Sequence, residues 1–121
     1  MLTPHFSHLS PTEQERLVIL MEDCSEIIHM GSKILRHGYG SKNPDDKAPH
    51  DLRLTNRESL EGEIGQLNWM TCQMIRSGDL SPINIDDGNA KREKKIAPHL
   101  HHHKPISYSK AQWGSKENDP R

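Results

Sequence analysis

Apolar residues recur at three- and four-residue steps in two long stretches of the chain. The first stretch follows Ser10-Pro11-Thr12-Glu13, which is a capping box with proline at the first helical position. It ends at Gly38, so the pattern predicts an amphipathic helix over about 11–37. The second stretch follows another capping box, Thr55-Asn56-Arg57-Glu58, and ends at Gly78, which predicts a second helix over about 56–77.

The segments around these two stretches are polar. Residues 39–54 are rich in Gly, Asn, Pro, Asp and Lys, which predicts a surface loop. Beyond Asp79 the apolar pattern weakens, but acidic residues precede basic ones, as the helix dipole favours, and this predicts a shorter third helix over about 84–97. We therefore expect an all-α fold of two long antiparallel helices and a shorter third one. The chain would comprise an N-terminal arm (1–10), a helical domain (11–97) and a polar tail (98–121).

The composition indicates that one copy has a small core. The 121 residues suffice for one domain, but only 31% are hydrophobic, against roughly 45–50% apolar usage, glycine included, in ordinary globular domains. A lone copy would bury little surface, so we expect a helical bundle completed by oligomerisation to a dimer or tetramer, with a flexible C-terminal tail. Gly62 and Gly65 inside the second helix cost about 1 kcal/mol each relative to alanine, and we expect a close approach between helices to offset this cost.

The net charge indicates which partners to expect, and the cysteines indicate the cellular compartment. The formal net charge of −1 gives no overall attraction to nucleic acid or to membranes. The two cysteines, Cys24 and Cys72, lie within apolar helical patterns, which favours a reducing compartment over a disulfide scaffold. No secretory signal is visible, and no apolar run approaches the roughly 20 residues of a membrane span. We expect a cytoplasmic protein with neither a membrane nor a nucleic acid as partner.

Acidic side chains occur at helical spacing on both long helices. The first helix carries Glu22, Asp23 and Glu26, and the second carries Glu63 and Gln66. Asp23 and Glu63 are each bracketed by apolar residues, so they should face the helix interface, where burial of an unpaired carboxylate is costly. If the apolar stripes pack together, these oxygens could bind Mg²⁺ or Mn²⁺. The alternative is that the acids form ordinary solvated helix surface.

Three segments of the chain resemble a known family. Leu20–Ile28 and Ser32–Gly38 resemble the first helix of the MazG-like nucleotide pyrophosphohydrolases, and Thr55–Leu67 resembles their second helix, particularly in small phage-encoded members. The resemblance covers about residues 15–80. It implies an all-α fold related to dimeric dUTPases, and Mg²⁺-dependent cleavage of nucleoside triphosphates to the monophosphate and pyrophosphate.

The resemblance also implies roles for the acidic residues. The metal ligands would be Asp23, Glu26, Glu63 and Gln66, and the catalytic set would be Glu22, Asp23, Glu26 and Glu63. Gln66 departs from the family pattern, which has Asp at this position, so Mg²⁺ would lose one negative ligand. The alternative is therefore a catalytically weakened nucleotide- or partner-binding helical protein of the same fold.

Basic residues near the ends of the helices are candidates for binding phosphate. Lys33 lies about 10 Å along the first helix from Glu26, a span that suits a triphosphate, and Arg36 follows on nearly the same stripe. Basic residues in a last turn also interact favourably with the helix dipole, so both interpretations stay open. Asn56 begins the second helix, where free N–H groups favour anions, although capping alone explains it.

Two further groups lie toward the C-terminus. Lys91 and Lys94 of the third helix could close over the phosphates, as the resemblance suggests, or could form a solvated basic face. His99 and His101–His103 have no cysteine partner, which favours adventitious metal affinity over a zinc site. A third hypothesis is an interaction protein whose His-rich tail contacts a host factor or nucleic acid. The near-zero net charge argues against strong nucleic-acid binding.

Overall fold

A computed structural model describes residues 7–105 and shows three α-helices. These are α1 (Pro11–His37), α2 (Asn56–Arg76) and α3 (Pro82–Ile96); one short 3-10 helix, His50–Leu52, lies between α1 and α2, and another, Ala97–His99, follows α3. The described range contains no β-strand, only an isolated bridge between Lys42 and Thr55. The predicted all-α class is confirmed, with α1 at its predicted bounds.

Local capping sets the start of each helix. Ser10 caps α1 and Thr55 caps α2, and in both cases the glutamate three residues later completes the predicted capping box. Such reciprocal hydrogen bonds satisfy backbone groups that the first helical turn leaves unpaired. The third helix begins earlier than the predicted residue 84, because Ser81 caps it and Pro82 occupies its first position.

The first two helices pack against each other as an antiparallel hairpin. At its closed end, the Asn56 side chain donates a hydrogen bond from Nδ2 to the carbonyl oxygen of Gly38, at 3.0 Å. At its open end, Nη2 of Arg16 donates to Oδ1 of Asp79, at 2.9 Å. Contacts at both ends fix the register of the two helices.

The core of this hairpin is small. Met30, Met70 and Met74 are the buried hydrophobic residues of the described chain. Large apolar side chains on both helices remain exposed, among them Val18, Met21, Ile28, Leu35 and Trp69. Gly62 and Gly65 are exposed as well, and a Cβ atom at either position would meet no atom within 4 Å. The close helix approach expected at these glycines therefore does not occur within the described chain.

The chain divides into two compact units between Leu80 and Ser81. The α1–α2 hairpin belongs to the first. In the second, α3 packs against the 3-10 helix Ala97–His99. None of the helices in residues 7–105 has the length and apolar character that a bilayer crossing requires. Most of the predicted arm (1–10) and tail (98–121) lies outside the described residues.

Candidate functional site

A cleft of about 410 Å³ lies at the closed end of the hairpin. The last turns of α1, the following loop and the first residue of α2 form its walls, through Lys33, Arg36, His37, Ser41, Lys42, Asn43, Pro44, Asp45 and Asn56. Three of these residues carry a full positive charge and only Asp45 carries a negative one. This cleft falls within the volume range of small-molecule sites, and its charge favours an anion.

The loop that forms one wall is held in place by its own hydrogen bonds. Arg53 donates from Nε to the carbonyl oxygen of Ala48 at 2.7 Å, and Lys42 donates from Nζ to that of His50 at 3.0 Å. The side-chain oxygen of Asn43 accepts from the backbone N–H of Asp45 at 3.0 Å. Long ordered loops of this kind are uncommon as plain connections and are frequently functional.

The N-terminus of α2 is already satisfied by protein groups. The backbone N–H of Asn56 donates to the carbonyl oxygen of Ser41 at 2.8 Å, and that of Arg57 donates to Tyr39 at 3.0 Å. The guanidinium of Arg57 also lies over the Tyr39 ring, 4.8 Å from its centre. The free N–H groups expected at this helix start are therefore engaged, and an anion in the cleft would be held by side chains. Asn56 is buried and its amide nitrogen is bonded to Gly38, which gives this residue a structural role.

The acidic residues lie further along the hairpin. Asp23 and Glu63 are half-buried, as expected from their apolar neighbours, whereas Glu22, Glu26 and Gln66 are exposed. The contacts at the two ends of the hairpin place Glu26 and Gln66 at nearly the same level, about 4 Å apart along the axis. The same register separates the levels of Asp23 and Glu63 by about 12 Å along the axis.

The metal-ligand set stays a prediction. Carboxylate and amide oxygens are the donors that Mg²⁺ prefers, so the chemistry of Asp23, Glu26, Glu63 and Gln66 suits this ion. Within residues 7–105, no three His, Cys, Asp or Glu side chains come together closely enough to bind a metal ion.

The predicted phosphate contacts divide between the two units. Lys33 and Arg36 at the end of α1 and Asn56 at the start of α2 line one cleft. Lys91 and Lys94 belong to α3 in the second unit, where Lys91 forms an ion pair with Asp87 at 2.8 Å. Their contact with a nucleotide stays a prediction.

The loop after α1 contributes side chains to the cleft that the sequence patterns did not predict. Lys42 and the turn Asn43–Asp45 line it, as does His37 at the end of α1. The available signal was the length of the loop, because helix–helix connections usually span only a few residues. A charged Lys-Asn-Pro-Asp sequence within so long a connection could have indicated a site.

Comparisons with protein-family models, with curated proteins and with solved structures give no significant match to this chain.

Proposed function

We propose that this protein is a Mg²⁺-dependent nucleoside triphosphate pyrophosphohydrolase, which cleaves its substrate to the monophosphate and pyrophosphate. The observation that carries the proposal is the convergence of Lys33, Arg36 and Lys42 on one basic cleft. A triphosphate is the kind of polyanion that such a cleft favours. The resemblance to MazG-like enzymes supplies the reaction.

The basic side chains would hold the phosphate chain. Lys33 and Arg36 both lie on α1, so a rigid helix sets their spacing. The guanidinium of Arg36 also donates to Oγ of Ser32 at 2.9 Å, which restrains its position. Together with Lys42, these groups would neutralise the phosphates and steady the leaving pyrophosphate.

The acidic side chains would supply the metal site. Asp23, Glu26 and Glu63 would be direct ligands, with Gln66 and Glu22 as weaker or water-mediated ones. Bound Mg²⁺, or Mn²⁺, neutralises phosphate charge and lowers the pKa of an attacking water. We further propose that the protein acts as a homodimer or tetramer, since one hairpin leaves much of its apolar surface exposed.

The activity is tested with the purified protein, Mg²⁺ and a panel of canonical and modified nucleoside triphosphates. We expect monophosphate and pyrophosphate as products, and no turnover in Glu26→Gln and Glu63→Gln variants that still fold.

Lys33→Gln should weaken nucleotide binding by roughly tenfold or more, because it removes a hydrogen bond between charged groups. Lys47→Gln is the matched control, since Lys47 is an exposed loop lysine outside the cleft. Equal affinity in the two lysine variants would contradict the proposed phosphate site.

Gln66 favours a second candidate function, nucleotide or partner binding by a catalytically weakened protein of the same fold. A neutral amide supplies one oxygen but no charge to Mg²⁺. In that case nucleotides would raise the melting temperature of the protein without forming product. A large gain in turnover in Gln66→Asp would indicate a weakened site. Unchanged turnover would mean that another group takes the role of the family's Asp at this position.

A further inference from the structure

A second apolar stripe runs along α1, apart from the one that packs against α2. Its large members are widely exposed: Val18 by 63%, Met21 by 69%, Ile28 by 73% and Leu35 by 91%. With Ser25 and Ser32 between them, they follow the alternating three- and four-residue steps of a heptad repeat. We call these six positions the outer stripe. The first helix is thus apolar on two sides, and α2 covers only one of them.

Charged and polar residues border the outer stripe in a definite order. The flanking positions, one heptad apart, are Glu15, Glu22, His29 and Arg36, and all four are exposed. The acidic residues lie in the N-terminal half of α1, and the histidine and arginine lie in the C-terminal half. A second copy of α1 running in the opposite direction would therefore present complementary groups along the whole border.

In one antiparallel register, the border residues of the two copies pair with complementary groups and their outer stripes pack together. Glu15 then lies beside Arg36 of the partner subunit, and the Glu22 carboxylate can accept a hydrogen bond from His29 of the partner subunit. In the same register Val18 packs against Leu35 of the partner subunit. Ser25 meets Ile28 of the partner subunit, so a small side chain faces a large one. A parallel pair would instead bring no acidic residue of this border beside a basic one.

We propose that two copies of this protein associate through the outer stripes of α1, antiparallel, about a two-fold axis between Ser25 and Ile28. The inference specifies the interface of the self-association proposed above and rests on that part of the proposed function, but it does not depend on the nucleotide chemistry. Arg36 lies both in the basic cleft and at the border of this interface. The two clefts of the dimer would lie at opposite ends of the α1 pair, about 30 Å apart along its axis.

Disulfide trapping tests the direction of pairing. In a Cys24→Ser/Cys72→Ser background, Val18→Cys and Leu35→Cys are made separately, one of them with an affinity tag, and are oxidised alone and mixed. We expect a crosslinked heterodimer only in the mixture, because two copies of position 18 would be about 26 Å apart. Efficient crosslinking of Val18→Cys alone would indicate parallel pairing and would overturn the proposal.

Charge exchange tests the border by sedimentation of the full chain. Glu15→Arg and Arg36→Glu should each raise the dimer Kd roughly tenfold, since each change breaks two symmetry-related ion pairs and adds repulsion. The double variant should restore the affinity, which a loss of folding could not do.

Ile28→Asp should give a monomer with unchanged helix content by circular dichroism, and Asn68→Asp on α2 is the matched exposed control. A protein that is monomeric at all concentrations, or a dimer that withstands Ile28→Asp, would refute this interface.

Discussion

At the scale of single residues, the contact between Arg16 and Asp79 closes the open end of the hairpin. Nε and Nη2 of the guanidinium donate to the two oxygens of one carboxylate, and both side chains are partly buried. The hydrogen bond from Arg16 lowers the pKa of Asp79, and desolvation opposes the shift only in part. The same bond raises the pKa of Arg16. The pair joins residues 63 positions apart, so it forms only when the hairpin closes.

The lowered pKa of Asp79 predicts an acid-dependent stability. The unfolded chain, with its carboxyl pKa near 3.8, binds this proton more readily than the folded chain does. The stabilisation that the Arg16–Asp79 pair provides is therefore complete above the Asp79 pKa of the unfolded chain. It is lost as the pH falls through the lower Asp79 pKa of the folded chain. Asp79→Asn should remove it, so the variant should lose less stability than the parent between pH 5 and pH 2. Thermal melting across this range measures the effect.

Asp87→Asn is the control for this measurement, because its ion pair with Lys91 is exposed and local. Its acid dependence should follow that of the parent protein. If the stability of the parent protein and that of Asp79→Asn fell equally as the pH was lowered, this result would contradict a role for the Arg16 contact in stability.

At the scale of helices, α2 contains two glycines that nothing in the described chain requires. Gly62 and Gly65 lie inside the helix with no neighbour within 4 Å of a Cβ atom. Glycine lowers helix stability because its unfolded backbone is more flexible. Alanine at either position should therefore raise the free energy of unfolding by about 0.5–1 kcal/mol, as measured by urea denaturation.

Gly38 and Gly78 provide the contrasting controls. They end α1 and α2 with φ values of +85° and +83°, a region that side chains with a Cβ atom rarely adopt. Alanine at these positions should lower the free energy of unfolding by about 1 kcal/mol. Destabilisation by Gly62→Ala or Gly65→Ala would show that another molecule packs closely against this face of α2.

At the scale of the whole molecule, the α1–α2 hairpin of one copy has a small core. Three buried methionines provide little apolar burial for two helices of 27 and 21 residues. If copies associate through α1, mass action links folding to concentration. The melting temperature should rise by several degrees over a hundredfold increase in protein concentration, and Ile28→Asp should abolish this dependence. A concentration-independent melting temperature in the parent would mean that one copy is stable alone.

Local residues alone determined the positions of the helices. Ser10 and Thr55 cap with their own neighbours, and Gly38 and Gly78 end the helices with a backbone conformation that needs no distant partner. These interactions span a few residues, so a sequence pattern predicts them. The missed start of α3 at Ser81 was equally local, and its Ser-Pro pair was readable from the sequence.

The tertiary structure decided which of the candidate residues meet. Lys33 and Asn56 share a cleft because the hairpin brings the end of α1 to the start of α2, and Lys42 joins them because the loop folds back between these ends. The contacts of Gly38 and Asp79 set the register of the two helices. This register decides how far Glu26 lies from Gln66, and Asp23 from Glu63, along the helix axes. Helical periodicity assigns a residue to a face, but it cannot give the displacement of one helix along another. That displacement depends on contacts between residues far apart in the chain.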